Sequence, residues 1–313
     1  MENNKKIPII MDCDPGWDDT IAIIMALSND KLDVKAITCV AGNVSVQKTT
    51  ENAKKVLEFM KSNITLASGA EEPLEYKLKT IEEIHGEDGL YGLLDNADYK
   101  VDKRKAHELI KDLLIESKEK ITIVATGALT NIALLIKNYP EVVDRIDKIC
   151  IMGGGILIGN ITPYAEFNIH TDPHAAKIVF KSRIPIIMCG LNVSYKAVCR
   201  RGDIDKIKKI GSRKSELVSR ILEEAGKVER ANAPKGALEK GDAPLYDPVT
   251  VAYLINPSIF ATEKYNIEIK TEGEKRGQTE VVNNSNICNT EVVMDVNRKE
   301  LIDLLIKCLK YDK

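Results

Sequence analysis

The stretch Ile7–Leu27, IPIIMDCDPGWDDTIAIIMAL, decides the reading of the fold. It opens as an apolar run, Ile7–Cys13, turns at Pro15-Gly16, and resumes as apolar residues at helical spacing from Asp18 to Leu27. A short buried strand that feeds a helix through a tight turn is the opening unit of an α/β sheet. The turn also carries four aspartates, Asp12, Asp14, Asp18 and Asp19. Like charges this close repel one another and destabilise the chain unless a positive charge sits among them. Acidic residues in the first turn of a helix complement its dipole, at roughly 0.3–1 kcal/mol each. That accounts for Asp18 and Asp19 but not for all four. Hard oxygen ligands on a tight turn suit Ca²⁺ or Mg²⁺, so a metal site is expected here.

The same alternation runs outward from this unit. Strands are expected at Ile7–Cys13, Val34–Ala41, Ile64–Ala67, Ile121–Ala125, Lys148–Met152 and Ile184–Cys189. Helices are expected at Asp18–Leu27, Val46–Met60, Ala106–Ser117, Asn131–Lys137, Pro173–Phe180, Ser215–Glu224 and Asp247–Leu254. Such spacing predicts an α/β fold with an open, mostly parallel sheet flanked by helices. Tyr265–Lys270, Glu280–Val282 and Glu291–Asp295 read as further strands joined by turns, antiparallel ones making the sheet mixed, and Arg298–Leu309 as a closing helix. No stretch reads as a linker, so residues 1–313 are taken as one domain. The charged stretch Lys206–Asp242 reads either as a mobile flap near a site or as a solvated helix plus loop.

Bulk properties exclude several classes. With 313 residues the chain is long enough for a sizeable core. Its net charge of −2 gives nucleic acid no electrostatic attraction. No run approaches the roughly 18 apolar residues of a membrane helix, and the N-terminal MENNKKIPII lacks a signal peptide's apolar stretch. Seven cysteines, an odd number without a CxxC, with Cys13, Cys39, Cys150 and Cys189 inside apolar runs, predict reduced thiols and a cytoplasmic location.

In an open parallel sheet, ligands bind beyond the carboxyl ends of the strands. The segments there are Asp12–Asp19, Ala41-Gly42-Asn43, Thr126–Asn131 and Gly153-Gly154-Gly155. Carboxylates, amides and glycines recur, the composition of a polar pocket approached closely by backbone. An EF-hand loop does not fit, because its sixth and twelfth positions hold Trp17 and Ile23. A haloacid-dehalogenase-like phosphohydrolase, with Asp12 as nucleophile and Asp14 as acid/base, also begins with DxD after a strand; Gly16 stands where that pattern expects Thr or Val, and this reading stays open as the alternative enzyme. The glycine run does not spell GxGxxG, since Ile158 holds the third position.

Five blocks carry a family resemblance. Asp12–Asp19 (DCDPGWDD) resembles the DxDPGxDD signature of the inosine-uridine preferring nucleoside hydrolases. Ile84–Leu90 (IHGEDGL), Ala125–Ala133 (ATGALTNIA), Met152-Gly153-Gly154 with Asn160 and Ala165-Glu166-Phe167-Asn168, and Leu245–Val249 (LYDPV) resemble further family segments, in family order. The resemblance implies a Rossmann-like nucleoside hydrolase fold and a Ca²⁺-dependent N-ribohydrolase that releases ribose and a nucleobase from a ribonucleoside, as in purine or pyrimidine salvage. It implies a metal held by Asp14, Asp19, Asp247 and the carbonyl of Thr126. Asp14 would activate a metal-bound water as general base. Asp18 and Asn168 would bind the ribose diol, Asn160 and Glu166 the 5′-hydroxyl, and Asn43 would lie near the sugar or base. A homodimer or homotetramer is expected on the same ground, with no nucleic-acid or membrane partner.

Other residues have plainer readings. Asp12 is expected to orient the loop or bond Asn43, and Asn131 to cap the next helix. Asp247 is expected to be a metal ligand, with helix capping before Pro248 as its plainer reading, and it can do both. His170 and His174 are expected to be structural and His107 to lie on a helix surface. Trp17 either stacks on a nucleobase or packs. One departure stands out: the family's HD dipeptide is Tyr246-Asp247 here, and Ala225–Asp242 holds no aromatic residue. A tyrosine, with a pKa near 10, donates a hydrogen bond more readily than a proton. His85 and Tyr246 are therefore the candidates for handling the leaving base. A protein that binds nucleoside or ribose without efficient turnover is the alternative this departure leaves open.

Overall fold

The computed structural model describes residues 5–233, 236–282 and 288–310. Positions 1–4 of the N-terminal segment and 234–235 of the charged stretch lie outside the described residues. The main sheet has nine strands: β1 (Ile7–Cys13), β2 (Leu32–Cys39), β3 (Thr65–Ser68), β4 (Val101–Asp102), β5 (Ile121–Ala125), β6 (Ile146–Ile151), β7 (Ile186–Met188), β8 (Phe260–Tyr265) and β9 (Thr290–Val296). Their order is β8-β9-β7-β6-β5-β1-β2-β3-β4. Every neighbouring pair is parallel except β8 with β9.

Side-chain alternation along β1 explains why helices cover both faces. Ile9, Met11 and Cys13 join the core on one face with Ile21, Val218, Ile221, Val251 and Leu305. Ile10 joins the core on the other with Leu109, Ile110, Ile132 and Val179. A strand buried on both sides reads as a continuous apolar run, which is how Ile7–Cys13 betrays itself. The cysteines that lie in strands pack in these cores, and Cys13, Cys39, Cys150 and Cys189 are free and buried.

The topology fixes where a ligand can bind. From β1 the chain runs outward through β2, β3 and β4, then returns to place β5 on the other side of β1. The crevice at such a reversal is where open α/β sheets bind ligands. Asp12 pairs with Thr38 of β2 and with Ala125 of β5. The carboxyl ends of β1, β2 and β5 are therefore flush. The loops that follow them, Cys13–Gly16, Val40–Asn43 and Thr126–Leu129, open into one space.

Several expectations are corrected. The stretch Tyr265–Lys270 is not one strand. β8 ends at Tyr265, and Ile267–Ile269 pairs antiparallel with Thr279–Val281 in a separate ribbon. β8 is mostly exposed, so no apolar alternation marks it. The helix in the charged stretch is not wholly solvated. Arg213–Asn232 is a helix whose Leu217, Val218, Ile221, Leu222 and Ala225 are buried. Short elements carry no sequence signal of their own: β4, the ribbon Val198–Cys199 with Ala243–Pro244, and the helices Glu82–His85, Phe167–Thr171, Leu191–Ser194 and Arg201–Lys208. Among the described residues, no helix is long and apolar enough to cross a membrane.

Candidate active site

The first loop is locked at both ends. Thr126 N–H donates to Asp12 O and Val40 N–H to Cys13 O, each at 2.9 Å. Beyond Pro15 the chain is extended at Gly16, and the helix Trp17–Leu27 begins. Asp19 lies one turn in and folds back. Its Oδ2 accepts the Gly16 N–H at 3.0 Å, and its Oδ1 accepts the Thr126 hydroxyl at 2.7 Å. Asn43 ties the loop from the other side. Its backbone N–H donates to Asp14 Oδ2 at 2.8 Å and its amide to Asp14 O at 3.1 Å.

Asp14 is fully buried, and its Oδ1 has no hydrogen-bond partner. Glycines make room for this carboxylate. A Cβ on Gly42 would stand 2.0 Å from Oδ2, and one on Gly127 would stand 2.6 Å from Oδ1. Carboxylate oxygens of Asp18, Asp19 and Asp247 lie within 4.8 Å of one another. Asp247 occupies the cap position of helix Pro248–Ile255 but makes no side-chain cap bond, so its carboxylate is left for this group. Burial, then the charges of Asp19 and Asp18, pushes Asp14 well above the usual carboxylate range. Burial and the charges of Asp18, Asp19 and Asp14 do the same to Asp247. Converging buried carboxylates, one with an orphaned oxygen, fit a hard divalent cation, which takes oxygen ligands and supplies the charge the acids lack. The carboxylates that converge are those of Asp18, Asp19 and Asp247; Asp14 is near enough for its charge to act on Asp247, and the Thr126 carbonyl accepts the Asn168 amide. Asp18 belongs to the same acidic group and is the most exposed of the four aspartates of this loop.

A pocket opens above these acids. Asp18, Asn43, Thr126 and Asp247 line its floor. Asn160, Glu166 and Asn168 line one wall, and His85 and Tyr246 also face it. Glu166 caps the helix Phe167–Thr171, accepting N–H bonds from Asn168, Ile169 and Gly154 at 2.8–3.1 Å. Burial nevertheless pushes it up to about 7 against those donors. Asn168 donates to the carbonyls of Thr126 and Met152, and Asn160 Oδ1 accepts the Phe167 N–H at 2.9 Å. Ile81, Ile84, Ile161 and Phe167 complete an apolar side. Ile81 and Ile161 lie outside the five blocks, and no spacing signal marks them. A wider groove of about 880 Å³ lies along Phe180–Ile187 and Ile267–Thr271. None of the residues read from the sequence reaches it, and chemistry rather than size identifies the site.

His85 is buried. Its ring stacks on Trp17 with centroids 5.8 Å apart and planes at 24°. Burial holds it down at about 3, so the imidazole is neutral at ordinary pH. Tyr246 lies between Trp17 and Tyr195, at 6.2 Å from each. Trp17 itself is fully buried and does not line the pocket, so it packs.

Two supporting residues differ from expectation. Asp12 bonds Thr38 and Asn131 at 2.5 and 2.8 Å, not Asn43. Burial lifts it to about 7 against those two bonds. Asn131 does not cap its helix. It sits inside the first turn and reaches back to Asp12 and Cys39 O, while accepting the Ala70 N–H. His170 meets Arg276 at 3.2 Å, His174 packs on Tyr76, and His107 stacks on Tyr139, all outside the pocket.

The comparisons agree with this geometry. The family model described as inosine-uridine preferring nucleoside hydrolase matches residues 9–303. The pyrimidine-specific ribonucleoside hydrolase RihA of Photobacterium profundum is 42% identical over 308 residues, 96% of this chain and 98% of that protein. Its namesake from Salmonella typhimurium is 41% identical over 314 residues, 97% of this chain and 99% of that one. Among solved structures, a plant nucleoside hydrolase superposes with a TM-score of 0.88 at 28% identity, covering 97% of this chain and 99% of that one. A purine-preferring ribonucleoside hydrolase from Gardnerella vaginalis superposes at 0.89 and 26%, covering 97% and 98%. A signature loop at the β1/β5 reversal, an acidic pocket floor and relatedness along nearly the whole length have one explanation: the chain belongs to the inosine-uridine preferring nucleoside hydrolase family.

Proposed function

We propose that this chain cleaves the N-glycosidic bond of pyrimidine ribonucleosides with water, in a Ca²⁺-dependent reaction with Asp14 as general base. The observation that carries this reading is Asp14 Oδ1, a buried carboxylate oxygen without a partner, beside three converging aspartates. Asp14, Asp19, Asp247 and the Thr126 carbonyl would hold the cation, which supplies Lewis acidity, lowering the pKa of water and orienting sugar hydroxyls. Asp14 takes a proton from the attacking water onto Oδ1, while the Asn43 N–H holds Oδ2. The water's oxygen bonds to the anomeric carbon as the bond to the base breaks, and the bonding pair leaves with the base. Asp18 and Asn168 bind the ribose 2′- and 3′-hydroxyls, and Asn160 and Glu166 the 5′-hydroxyl. Gripping these unreactive groups fixes the anomeric carbon against the nucleophile. The anionic floor favours the oxocarbenium-like transition state.

His85 and Tyr246 meet the departing base. His85 is neutral and donates a hydrogen bond rather than acting as a standing acid. The preference for pyrimidines rests on the names of the relatives at 41–42% identity. A homodimer or homotetramer is the assembly the family resemblance supports, to be read by light scattering. The test is ribose release from uridine, cytidine, inosine and adenosine, with EDTA and with Ca²⁺ restored. Ribose release from the pyrimidine ribosides that EDTA stops and Ca²⁺ restores supports the reading, and Asp14→Ala then abolishes turnover. Metal-independent release, an active Asp14→Ala variant, or a purine preference overturns the corresponding part.

A further inference from the structure

Trp17 heads the large side chains that are fully buried, yet its Nε1–H has no hydrogen-bond partner. A buried unpaired donor destabilises a fold, so a plain apolar ring would serve packing alone at least as well. The indole does not reach the pocket. It contacts the two residues on the base side that carry polar groups there, His85 nearly parallel at 24° and Tyr246 tilted at 57°. Asn43 also lines the pocket, but its amide is tied to Asp14. The His85 ring edge fills the space a Cβ on Gly16 would take, 2.3 Å from Nδ1 and 2.9 Å from Cε1. His85 therefore rests by its edge and by its face against two consecutive residues, Gly16 and Trp17. These residues lie inside the loop that carries Asp14, Asp18 and Asp19.

We infer that Trp17 is a positioning residue for departure of the base: its fused rings set the planes of both His85 and Tyr246 relative to the loop that carries the general base. Water attack and base departure are then held in register by one short segment. A single ring at this position can back only one of the two partners, which is why the bicyclic side chain is kept despite its orphaned N–H. The inference rests on the reading above that His85 and Tyr246 face the base.

The experiment compares Trp17→Phe, His85→Gln, Tyr246→Phe and the parent enzyme on two substrates with Ca²⁺ present. Uridine has a poor leaving group that the protein must assist. A p-nitrophenyl riboside leaves unaided. Aromatic pairs contribute enough that losing one contact should lower kcat on uridine by roughly three- to tenfold, with kcat on the p-nitrophenyl riboside, KM for ribose-bearing substrates and Ca²⁺ affinity little changed. Equal losses on both substrates would mean that Trp17 acts through the fold or the floor of the site, and the inference falls. It falls equally if Trp17→Phe does not fold, or if it matches the parent while His85→Gln or Tyr246→Phe loses uridine turnover selectively. If neither of those two variants separates the substrates, the reading of the base side itself has failed.

Discussion

Replacing Gly42 with alanine should disable the enzyme while leaving it folded. Gly42 has no positive φ, so alanine meets no backbone strain. The whole effect comes from the methyl group. Its carbon would stand 2.0 Å from Asp14 Oδ2 and 2.9 Å from Cγ, where real contacts begin near 3.0 Å, so the carboxylate must move by about 1 Å. Gly127 also borders this carboxylate, an added Cβ there standing 2.6 Å from Oδ1. The shift also breaks the 2.8 Å bond from the Asn43 N–H. Overpacking of this kind destabilises by about 1–3 kcal/mol, and a lost bond to a charged group by about 1.5–3 kcal/mol. The two overlap, since moving the carboxylate relieves the clash. A misplacement of about 1 Å in a reacting group lowers the rate by roughly 100-fold. The assay is kcat from ribose release beside urea unfolding. Gly202→Ala serves as control, because a Cβ there meets nothing within 4 Å and alanine inside a helix should add about 0.5–1 kcal/mol. A Gly42→Ala enzyme with kcat within threefold of the parent would show that the position of the Asp14 carboxylate beside Gly42 does not set the rate, and would refute Asp14 as the general base held in this geometry.

Two further expectations test the supporting residues. Asn131→Ala removes donors to Asp12, which keeps its bond from Thr38, and to Cys39 O, and the acceptor for the Ala70 N–H; with the last two groups losing this partner, at about 1–3 kcal/mol each, a loss of about 2 kcal/mol or more is expected in urea unfolding, and a loss below about 1 kcal/mol would mean the network carries no stability. His85 takes its proton only near pH 3 in the folded chain, against an ordinary value of 6.5. The unfolded chain then binds a proton that the native chain refuses, so stability from this group is complete above pH 6.5 and is lost as pH falls from 6.5 toward 3. Acid-limb melting should therefore be shallower in His85→Gln than in the parent, and a His85 ring resonance titrating at pH 6 or above would refute the buried, neutral assignment.

The legible part of the molecule is the part written in local chemistry. Ile7–Cys13 announces a strand because both its faces are buried. Asp14, Asn43, Thr126 and Asp247 stand in short loops, and Asp18 and Asp19 in the helix turn that follows the first of them, so reading those segments in turn names part of the pocket lining: Asp18, Asn43, Thr126 and Asp247. What escapes depends on contacts that sequence spacing does not encode. Asn131 looks like a helix cap because it opens a helix, yet its partner Asp12 is 119 residues away. β8 escapes because an exposed edge strand has no apolar period. The helix Arg213–Asn232 looks solvated because its charges outnumber the few apolar positions that pack it into the core.

Trp17 shows the same division inside a single motif. Its neighbours in DCDPGWDD have roles that follow from residue type: carboxylates for a cation, Pro15-Gly16 for the turn. Its own role is set by His85 and Tyr246, which arrive from the short helix Glu82–His85 between β3 and β4 and from the approach to helix Pro248–Ile255. Tyr246 stands where the family resemblance expects histidine, and Tyr195 packs edge-on behind it at 76°. Tyrosine at this position removes a group that titrates near neutrality and replaces it with a hydrogen-bond donor. With His85 also neutral, the base side carries no imidazolium at ordinary pH. Under the function proposed above, the leaving base is one that departs with hydrogen bonds to its ring atoms rather than full protonation beforehand. A pyrimidine carrying a carbonyl beside the glycosidic nitrogen meets that requirement better than adenine does. Tyr246→His should therefore raise purine turnover relative to uridine, and an unchanged ratio would remove Tyr246 from base selection.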